Sequence, residues 1–330
     1  MLPMPPQRIP RPVRAARNAA YRLAATLSGV EAIRGELEQV SAQVAELGRL
    51  MGELGASVQG LSAAAQHNLA ELHGTLEHNR REAIEIMQLL RDDEPETRRR
   101  LWALRETESY RQAYDEAEPL VSVVIPTYTN TKLLIERSLP SALAQTYERL
   151  EVLVIGDGAR PEVEEAVRHV GDARIRYVNL THRGPYPDDP QLRWFVAGGP
   201  AANEGLRLAR GRWISQLDDD DAYTPDRIEL LVKAARERHL ELCYGRIREH
   251  RPEGSIALPS AFPPRLGHVS LTSSITHAGM TFIASELGDA LFGIVGDWSR
   301  IRRMMRAGAR VGMIDDFVLD YYPRKRWDDV

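Results

Sequence analysis

Short apolar runs alternate with helical patterns along residues 119–330, and this alternation limits the possible fold more than any other feature of the chain. Four of these runs have the length and apolar content of buried strands, at 120–125, 151–155, 175–180 and 212–217. The segments between them, at 131–145, 161–170 and 201–210, have helical patterns. This spacing predicts an α/β domain with a mostly parallel sheet flanked by helices.

The residues that follow the predicted strands are the candidates for a binding site, because ligands of such sheets bind outside the carboxyl ends of the strands. The first strand is followed by Pro126-Thr127-Tyr128, which offers a hydroxyl and an aromatic ring to a flat ligand. The second is followed by Asp157 between two glycines, and the fourth by the acidic run Asp218–Asp221. These positions indicate a polar site at one edge of the sheet.

The acidic run is the strongest candidate for a metal site. Four adjacent carboxylates repel one another, so a buried run of this kind is expected to need a cation. Oxygen ligands favour a hard divalent ion, Mg²⁺ or Mn²⁺. The alternative is a solvated turn that caps the helix beginning near Pro225, because Asp is a good N-cap residue. The position directly after a strand favours the metal site.

Charge and composition disfavour several other classes of protein. The net charge of −4, from 43 Lys and Arg against 47 Asp and Glu, argues against nucleic-acid binding. Neither a P-loop lysine motif nor a Gly-x-Gly-x-x-Gly turn follows the first strand, which disfavours a kinase or a dehydrogenase. The single cysteine, Cys243, is expected in a buried strand and excludes an intramolecular disulfide. No apolar run reaches the ~18–20 residues of a membrane span, so we expect a cytoplasmic protein.

Apolar residues recur at alternating spacings of four and three from residue 33 onward, and this 3.5-residue period is typical of a coiled coil. The apolar seam consists of Ile33, Leu37, Val40, Val44, Leu47, Met51, Leu54, Val58, Leu61 and Ala65, and it continues at Leu69, Leu72 and Leu76. The pattern predicts a helical coiled-coil region over 30–118, with homo-oligomer formation through residues 30–90. The alternative is a helix that packs against the chain's own globular domain.

Residues 1–29 form a basic arm with five arginines and no acidic residue. A short basic helix within residues 8–25 would contact an anionic membrane surface, which would place the protein peripherally at the inner face of the membrane. The alternative is a disordered, solvated arm. At the other end of the helical region, Glu118-Pro119 is expected to end helical order, so the globular domain is predicted to span 119–330.

The order and spacing of the motifs in residues 119–323 resemble those of the family 2 glycosyltransferases. These are inverting enzymes of the GT-A fold, which has a Rossmann-like sheet and binds nucleotide-diphosphate sugars. The segments that carry the resemblance are Val121–Tyr128, Gln145–Tyr147, Gly156–Gly158, Asn203–Gly205, Ala209–Gly211, Leu217–Asp221 with Pro225, Gly296–Trp298 and Asp316–Tyr322. The resemblance implies transfer of a sugar from a nucleotide-diphosphate sugar to a hydroxyl of a glycan, a lipid-linked or another acceptor.

The resemblance also implies a role for each matching residue. Those expected to bind the nucleotide-sugar donor are Pro126, Thr127, Tyr128, Asp157, Asp218 and Asp219. Asp220, with Asp218, would hold the Mg²⁺ or Mn²⁺ ion, and Asp297 would be the general base. Thr276 and His277 fall in the segment that usually lies beneath the acceptor.

Some of these positions also have structural interpretations. Asp297 stands where an N-cap of the helix 298–307 is expected, a role that is compatible with catalysis. His277 is either a second candidate for the base or a core histidine, and the core position is favoured. Trp194 and Phe195 lie in the long loop 181–199, which either borders the site or only packs against the domain.

Three positions depart from the family pattern. Gly156 replaces the first of two acids, Ala159 replaces a usual Ser, and Ala202 replaces a usual Arg before Asn203. Another arginine is expected to supply the missing charge, and the candidates are Arg193, Arg207 and Arg210. The departures keep a second hypothesis open, in which the chain is a non-catalytic sugar-nucleotide-binding or scaffold protein presented on a coiled coil.

Overall fold

The computed structural model describes residues 30–91 and 94–323, so the basic arm and its predicted membrane contact lie outside the described residues. The chain divides into two compact units between Glu85 and Ile86. Helix α1 spans Val30–Arg91. Within the described ranges, no helix carries an apolar stretch long enough to cross a membrane.

Helices and strands alternate along the second unit. Its strands are β1 (Val121–Thr127), β2 (Leu150–Gly156), β3 (Ile175–Asn179), β4 (Trp213–Gln216), β5 (Ala222–Tyr223), β6 (Leu242–Arg251), β7 (Gly254–Ala257), β8 (Ser274–His277) and β9 (Val311–Tyr321). Its α-helices are α2 (Glu94–Arg105), α3 (Glu108–Asp115), α4 (Thr131–Leu133), α5 (Leu139–Leu143), α6 (Pro161–Val170), α7 (Pro190–Val196), α8 (Gly199–Leu208), α9 (Arg227–Glu237) and α10 (Gly296–Arg306). A π-helical turn (Leu134–Ser138) joins α4 to α5, and two 3₁₀ helices (Ala278–Phe282 and Leu287–Phe292) precede α10.

The long helix predicted from the seam is confirmed, since α1 runs for 62 residues. The large apolar side chains of the seam from Leu37 to Leu76 are exposed, from 52% for Leu37 to 72% for Met51. The charged side chains pair along the helix itself, as Arg49 does with Glu46 at 2.5 Å and with Glu53. An exposed apolar stripe of this length is typical of an interaction surface.

The strands of the described chain form one sheet in the order β3-β2-β1-β4-β8-β6-β9-β5, with β7 paired to β6. Strands β1 to β4 are parallel, as predicted, and Val121 lies level with Leu150 of β2 and Trp213 of β4. Strand β8 runs antiparallel to both β4 and β6, whereas β9 is parallel to β6. The α/β class is therefore confirmed, and Cys243 lies fully buried in β6, as expected. Beyond β4 the sheet is mixed, and the sequence pattern assigns no other strand there.

Side chains of the central strands alternate between two apolar layers, because successive residues of a strand point to opposite faces. Val123 and Ile125 pack on one face with the helices around Leu134, and Val124 packs on the other face with Leu206 of α8. An added Cβ at Gly205 would lie 2.3 Å from Cγ1 of Val124, so glycine is required for α8 to approach β1 this closely. This contact brings the segment before α8 to the carboxyl end of β1.

Helices α2 and α3 belong to the same compact unit as the sheet, which corrects the predicted boundary at residue 118. Leu101 is fully buried, and Tyr110 is only 5% exposed in the main apolar core. The helical region is interrupted between α2 and α3, because Thr107 caps α3 by accepting a hydrogen bond from the backbone N–H of Tyr110. The globular unit therefore includes residues 86–118, which the sequence pattern assigns to the coiled-coil region.

Candidate active site

A cavity of about 640 Å³ lies at the carboxyl ends of β1, β2 and β4, where the sheet type predicts a ligand. The sequence-predicted donor, metal and base residues all line it, although they come from separate segments. They are Pro126, Thr127, Tyr128, Asp157, Asp218, Asp219, Asp220 and Asp297. A cavity of this volume is in the range of small-molecule sites.

The acidic run is held in place by bonds from neighbouring elements. Asp219 is 8% exposed and accepts hydrogen bonds from the hydroxyl of Thr127 and the amide of Asn130, both at 2.7 Å. The Arg137 guanidinium, from the π-helical turn, donates to the backbone carbonyl of Asp220 at 2.5 Å. These bonds fix the loop against β1, so the alternative of a solvated acidic turn is not supported.

Asp221 closes the buried end of the same loop. It is 2% exposed and accepts a hydrogen bond from the backbone N–H of Tyr322 at 2.9 Å. Burial, together with the charges of Asp218 and Asp220, raises the pKa of Asp221. Helix α9 starts after Asp226, whose side chain makes no capping bond, so the acidic run does not cap this helix.

Two carboxylates of the acidic run are candidate ligands for a cation in this cavity. Asp218 and Asp220 both line it, and carboxylate oxygens are the donors that hard divalent ions prefer. Among residues 30–91 and 94–323, no group of three His, Cys, Asp or Glu side chains converges on one ion position. The donor set therefore fits a cation that is shared with a bound phosphate, since Mg²⁺ is usually held by one or two carboxylates together with substrate phosphates.

Asp297 lines the same cavity from the first turn of α10. Its Oδ2 accepts hydrogen bonds from the hydroxyl of Ser270 at 2.6 Å and from the backbone N–H of Leu271 at 3.1 Å. The N-cap of α10 is Val295, so the predicted capping role of Asp297 is wrong, although a carboxylate in the first turn is favourable to the helix dipole. Ser270 is not identified from the sequence, because it does not follow or precede a predicted helix or strand and belongs to no motif.

Asp157 fixes the loop that follows β3. Its Oδ1 accepts from the backbone N–H of Gly184 at 3.0 Å, and its Oδ2 accepts from the hydroxyl of Tyr186 at 2.5 Å. Burial and the bond to Asp157 raise the pKa of Tyr186, so its hydroxyl stays a donor. Gly158 has a φ of +63°, and a Cβ there would lie 2.4 Å from the Arg183 backbone nitrogen. Glycine at 158 is therefore required for the loop to pack here.

The departures at Gly156 and Ala159 have a common structural cause. A Cβ at Gly156 would lie 2.4 Å from Oδ1 of Asn179 and 2.6 Å from the hydroxyl of Tyr177, so these side chains occupy the space of the missing acid. The Asn179 amide bonds both the backbone N–H and the carbonyl of Ala159, at 2.9 and 2.8 Å. The turn after β2 is thus held by the Asn179 amide, at the positions where the resemblance implies an acidic and a hydroxyl side chain.

Of the three arginines expected to replace the missing charge, only Arg193 lines the cavity, where it donates to the backbone carbonyl of Asp188 at 2.9 Å. Arg207 pairs with Glu204 at 2.7 Å and Arg210 pairs with Glu151 at 2.8 Å, both outside the cavity lining. Arg183 also lines the cavity, with its guanidinium 3.9 Å from the centre of the Tyr128 ring. The sequence pattern does not distinguish Arg183 from its neighbours in the loop.

Thr276 and His277, which are predicted to lie near an acceptor, do not line the cavity. His277 is 3% exposed, and its ring packs against Tyr110 and Trp213 in the core. Burial lowers the pKa of His277 to about 4, so the ring is neutral near pH 7. The interpretation as a core histidine is the one that the structure supports. By contrast, Trp194 and Phe195 on α7 both line the cavity, so the loop 181–199 borders the site.

Comparison with known proteins identifies a family. The sequence profile of glycosyl transferase family 2 matches residues 122–187 and 195–287. An uncharacterized glycosyltransferase of Rickettsia prowazekii is 35% identical over 111 residues, which cover 34% of this chain and 30% of that protein. The chondroitin synthase of Escherichia coli is 30% identical over 174 residues, covering 52% of this chain and 23% of that protein.

A solved structure, that of Staphylococcus aureus TarS residues 1–349 in complex with UDP, has 15% sequence identity and a TM-score of 0.49 over 62% of this chain and 60% of that chain. The chain spans less than a third of the length of the first curated relatives that it matches.

Proposed function

The chain belongs to glycosyl transferase family 2, and on that premise we propose that it transfers a sugar from a nucleotide-diphosphate sugar to a hydroxyl of a glycan or lipid-linked acceptor, with inversion. The observation that carries the proposal is the meeting of Asp157, the first three acids of the acidic run (Asp218, Asp219 and Asp220) and Asp297 in one cavity. They follow different strands or begin a helix, so only the folded chain brings them together. A glycan acceptor is favoured because a matched relative is named as a synthase of a polysaccharide, chondroitin.

In this proposal the donor lies along the ends of β1, β2 and β4. Tyr128 and Asp157 would contact the base, and Thr127 and Asp219, which already bond each other, would lie by the ribose and diphosphate. Asp218, which is exposed, and Asp220 would hold a Mg²⁺ or Mn²⁺ ion. A divalent ion bound there would supply positive charge to the departing diphosphate.

Asp297 would act on the acceptor. Its carboxylate is oriented by Ser270 and the backbone of Leu271, so one oxygen is held while the other is available to a hydroxyl proton. The acceptor oxygen would form the new bond to the anomeric carbon as its O–H bond breaks and the proton passes to Asp297. The bond from that carbon to the diphosphate oxygen would break with its electron pair, and attack from the opposite face inverts the centre.

The competing hypothesis is a domain that binds a sugar nucleotide without turning it over. The departures at Gly156, Ala159 and Ala202 motivate it. At the first two, Asn179 and Tyr177 fill the space of the missing groups and hold the turn. The two hypotheses differ in turnover and agree in binding, so both must be measured.

We expect at least one of UDP, GDP and dTDP to bind the full chain in calorimetry with Mn²⁺, and removal of the ion with EDTA to weaken binding by about tenfold or more. Asp220→Asn should lose this metal dependence, whereas Asp226→Asn, outside the cavity, should keep it. A matching sugar donor should be turned over. Binding without turnover would support the competing hypothesis, and no binding to any nucleotide would overturn the proposal.

We also propose that α1 pairs with α1 of a second copy in a parallel two-stranded coiled coil. With Leu37 at heptad position a, the a positions include Val44 and Val58, and the d positions include Leu47 and Leu54. β-branched residues at a with Leu at d favour parallel dimers. The positions that flank the seam, e and g, carry no charge between residues 41 and 64. Two identical copies would therefore meet without like-charge repulsion, while the paired charges around Arg49 face outward.

Leu54→Asp is expected to convert the dimer to a monomer, because it places a charge in the centre of the seam. Light scattering after gel filtration should give twice the 37.1 kDa chain mass for the unaltered protein and the single mass for the variant. Gln59→Asp, at an outward heptad position, should remain dimeric. A monomeric parent protein, or a Leu54→Asp variant that stays dimeric, would contradict the pairing.

A further inference from the structure

We infer that Arg183 is a specificity-determining residue for the nucleotide base, and that with Asp157 it selects bases that present a carbonyl oxygen beside a ring N–H. The inference rests on the proposed function, because it concerns the donor of that same cavity. Arg183 lies in a loop and belongs to none of the segments that carry the resemblance to family 2.

The first observation is that Arg183 lines the cavity with its Nε unpaired. Its guanidinium lies 3.9 Å from the centre of the Tyr128 ring and 5.3 Å from that of Tyr186. Its Nε is buried and has no hydrogen-bond partner. An arginine carries five N–H donors in a planar arrangement, so a ligand that enters here meets a donor surface beside an aromatic one.

The second observation is that the cavity lacks an arginine at the position where the family usually has one. Ala202 stands there and lines the cavity. Arg207 and Arg210 are paired elsewhere, and Arg193 donates to a backbone carbonyl of its own helix region. Arg183 is thus the arginine of the described chain that is placed beside Tyr128 and Asp157.

The third observation is that Asp157 fixes the position of this arginine. The carboxylate accepts from Gly184 and Tyr186, on either side of Arg183 in the loop, and the Arg183 backbone packs against Gly158. Each carboxylate oxygen accepts up to two hydrogen bonds, so Asp157 retains acceptor capacity after these two. A fixed acceptor, Asp157, therefore lies near a fixed donor, Arg183, at the base end of the cavity.

This pair discriminates between bases of equal shape. Uracil and guanine present a carbonyl oxygen and a ring N–H, which match the donor Arg183 and the acceptor Asp157. Cytosine and adenine have an amino group and an unprotonated ring nitrogen at the same two positions. Both contacts would then oppose like with like, donor against donor and acceptor against acceptor, and buried mismatches of this kind are strongly rejected.

The test is the ratio of dissociation constants, measured by calorimetry with Mn²⁺ for UDP against CDP and for GDP against ADP. The full chain should prefer the carbonyl base by roughly tenfold or more in at least one pair. Arg183→Met keeps the aliphatic contact with Tyr128 and removes the donors. The two dissociation constants of that pair should then lie within about threefold of each other. Arg183→Gln, which removes the charge but keeps a polar group, is a second variant in which a smaller fall in the same direction is expected. Arg207→Met, outside the cavity, should leave the ratio unchanged.

Three outcomes would overturn the inference. They are a parent protein that binds without preference in either pair, an Arg183→Met variant that folds and keeps the preference, and an equal loss in Arg207→Met. Each of them leaves the proposed function standing, because nucleotide is still bound. A parent protein that binds neither these four nucleotides nor dTDP would overturn the proposed function as well, so the two failures are distinguishable.

Discussion

Replacing Asp297 with Asn is expected to lower the turnover of sugar transfer by about a thousandfold, within the ~10²–10⁴ range that a positioned general base contributes. The amide oxygen of Asn retains an acceptor for the Ser270 hydroxyl and the Leu271 N–H, so the first turn of α10 should keep its structure. What is lost is the ability to take up a proton. The expected effect is therefore on kcat, with the donor dissociation constant changed by less than about threefold.

The measurement is turnover of a donor that the chain is first shown to bind, together with calorimetry of the matching nucleotide. Asp315→Asn is the matched control, because the Asp315 side chain is 91% exposed on β9 and lies outside the cavity lining. The control should keep full turnover. If Asp297→Asn transferred sugar at the parent rate, the assignment of the base would be wrong, and the acceptor proton would have to pass to another group.

The elements that could be predicted from the sequence are those whose pattern is local. The apolar runs of β1 and β2 lie in the buried centre of a sheet, and their composition follows from burial on both faces. Asp157 and the acidic run could be assigned to one site because parallel strands end at the same edge. Asn130, two residues beyond Tyr128, also follows β1 and lies at the same edge of the sheet. Nothing in the sequence pattern marks it as a site residue.

The features that could not be predicted depend on contacts between distant parts of the chain. Strand β8 has few residues and pairs antiparallel between β4 and β6, so no alternation marks it. Arg183 acquires its position from Asp157 and Gly158, and nothing in its own neighbourhood in the sequence indicates this. His277 fits a catalytic motif as well as a core position, and only its packing against Tyr110 distinguishes them.

The predicted boundary at residue 118 is wrong for the same reason, and a buried carboxylate accounts for the difference. Glu241 is fully buried and accepts hydrogen bonds from the Arg105 guanidinium at 2.8 Å and the Tyr110 hydroxyl at 2.5 Å, which come from α2 and α3. It also accepts from the backbone N–H of Arg310 at 2.5 Å. A buried charge with these partners attaches the two helices to the sheet, although the residues lie more than a hundred positions apart.

Glu241→Gln is accordingly expected to lower the free energy of unfolding by about 2 kcal/mol, because the partly exposed Arg105 and Arg310 guanidinium groups lose the buried carboxylate that pairs with them. Burial by itself raises the pKa of Glu241, but the donors Arg105, Tyr110 and Arg310 outweigh it and hold that pKa below its ordinary value of 4.5. A carboxylate with a lowered pKa stabilises the fold fully above its ordinary value and loses this contribution as the pH falls through the lowered one. The difference between parent and variant should therefore be largest near pH 7 and should shrink below pH 4.5.

Denaturant unfolding at pH 7 and at pH 4 measures this difference, and Glu237→Gln on the exposed end of α9 is the matched control, expected to change stability by less than about 0.5 kcal/mol. Hydrogen exchange adds the location of the effect. If Glu241 attaches α2 and α3, their amides should lose protection before those of β1 and β2, since locally opened segments exchange first. A variant as stable as the parent, or one in which β1 loses protection together with α2, would show that the two helices are held by apolar contacts such as Leu101 rather than by the buried charge.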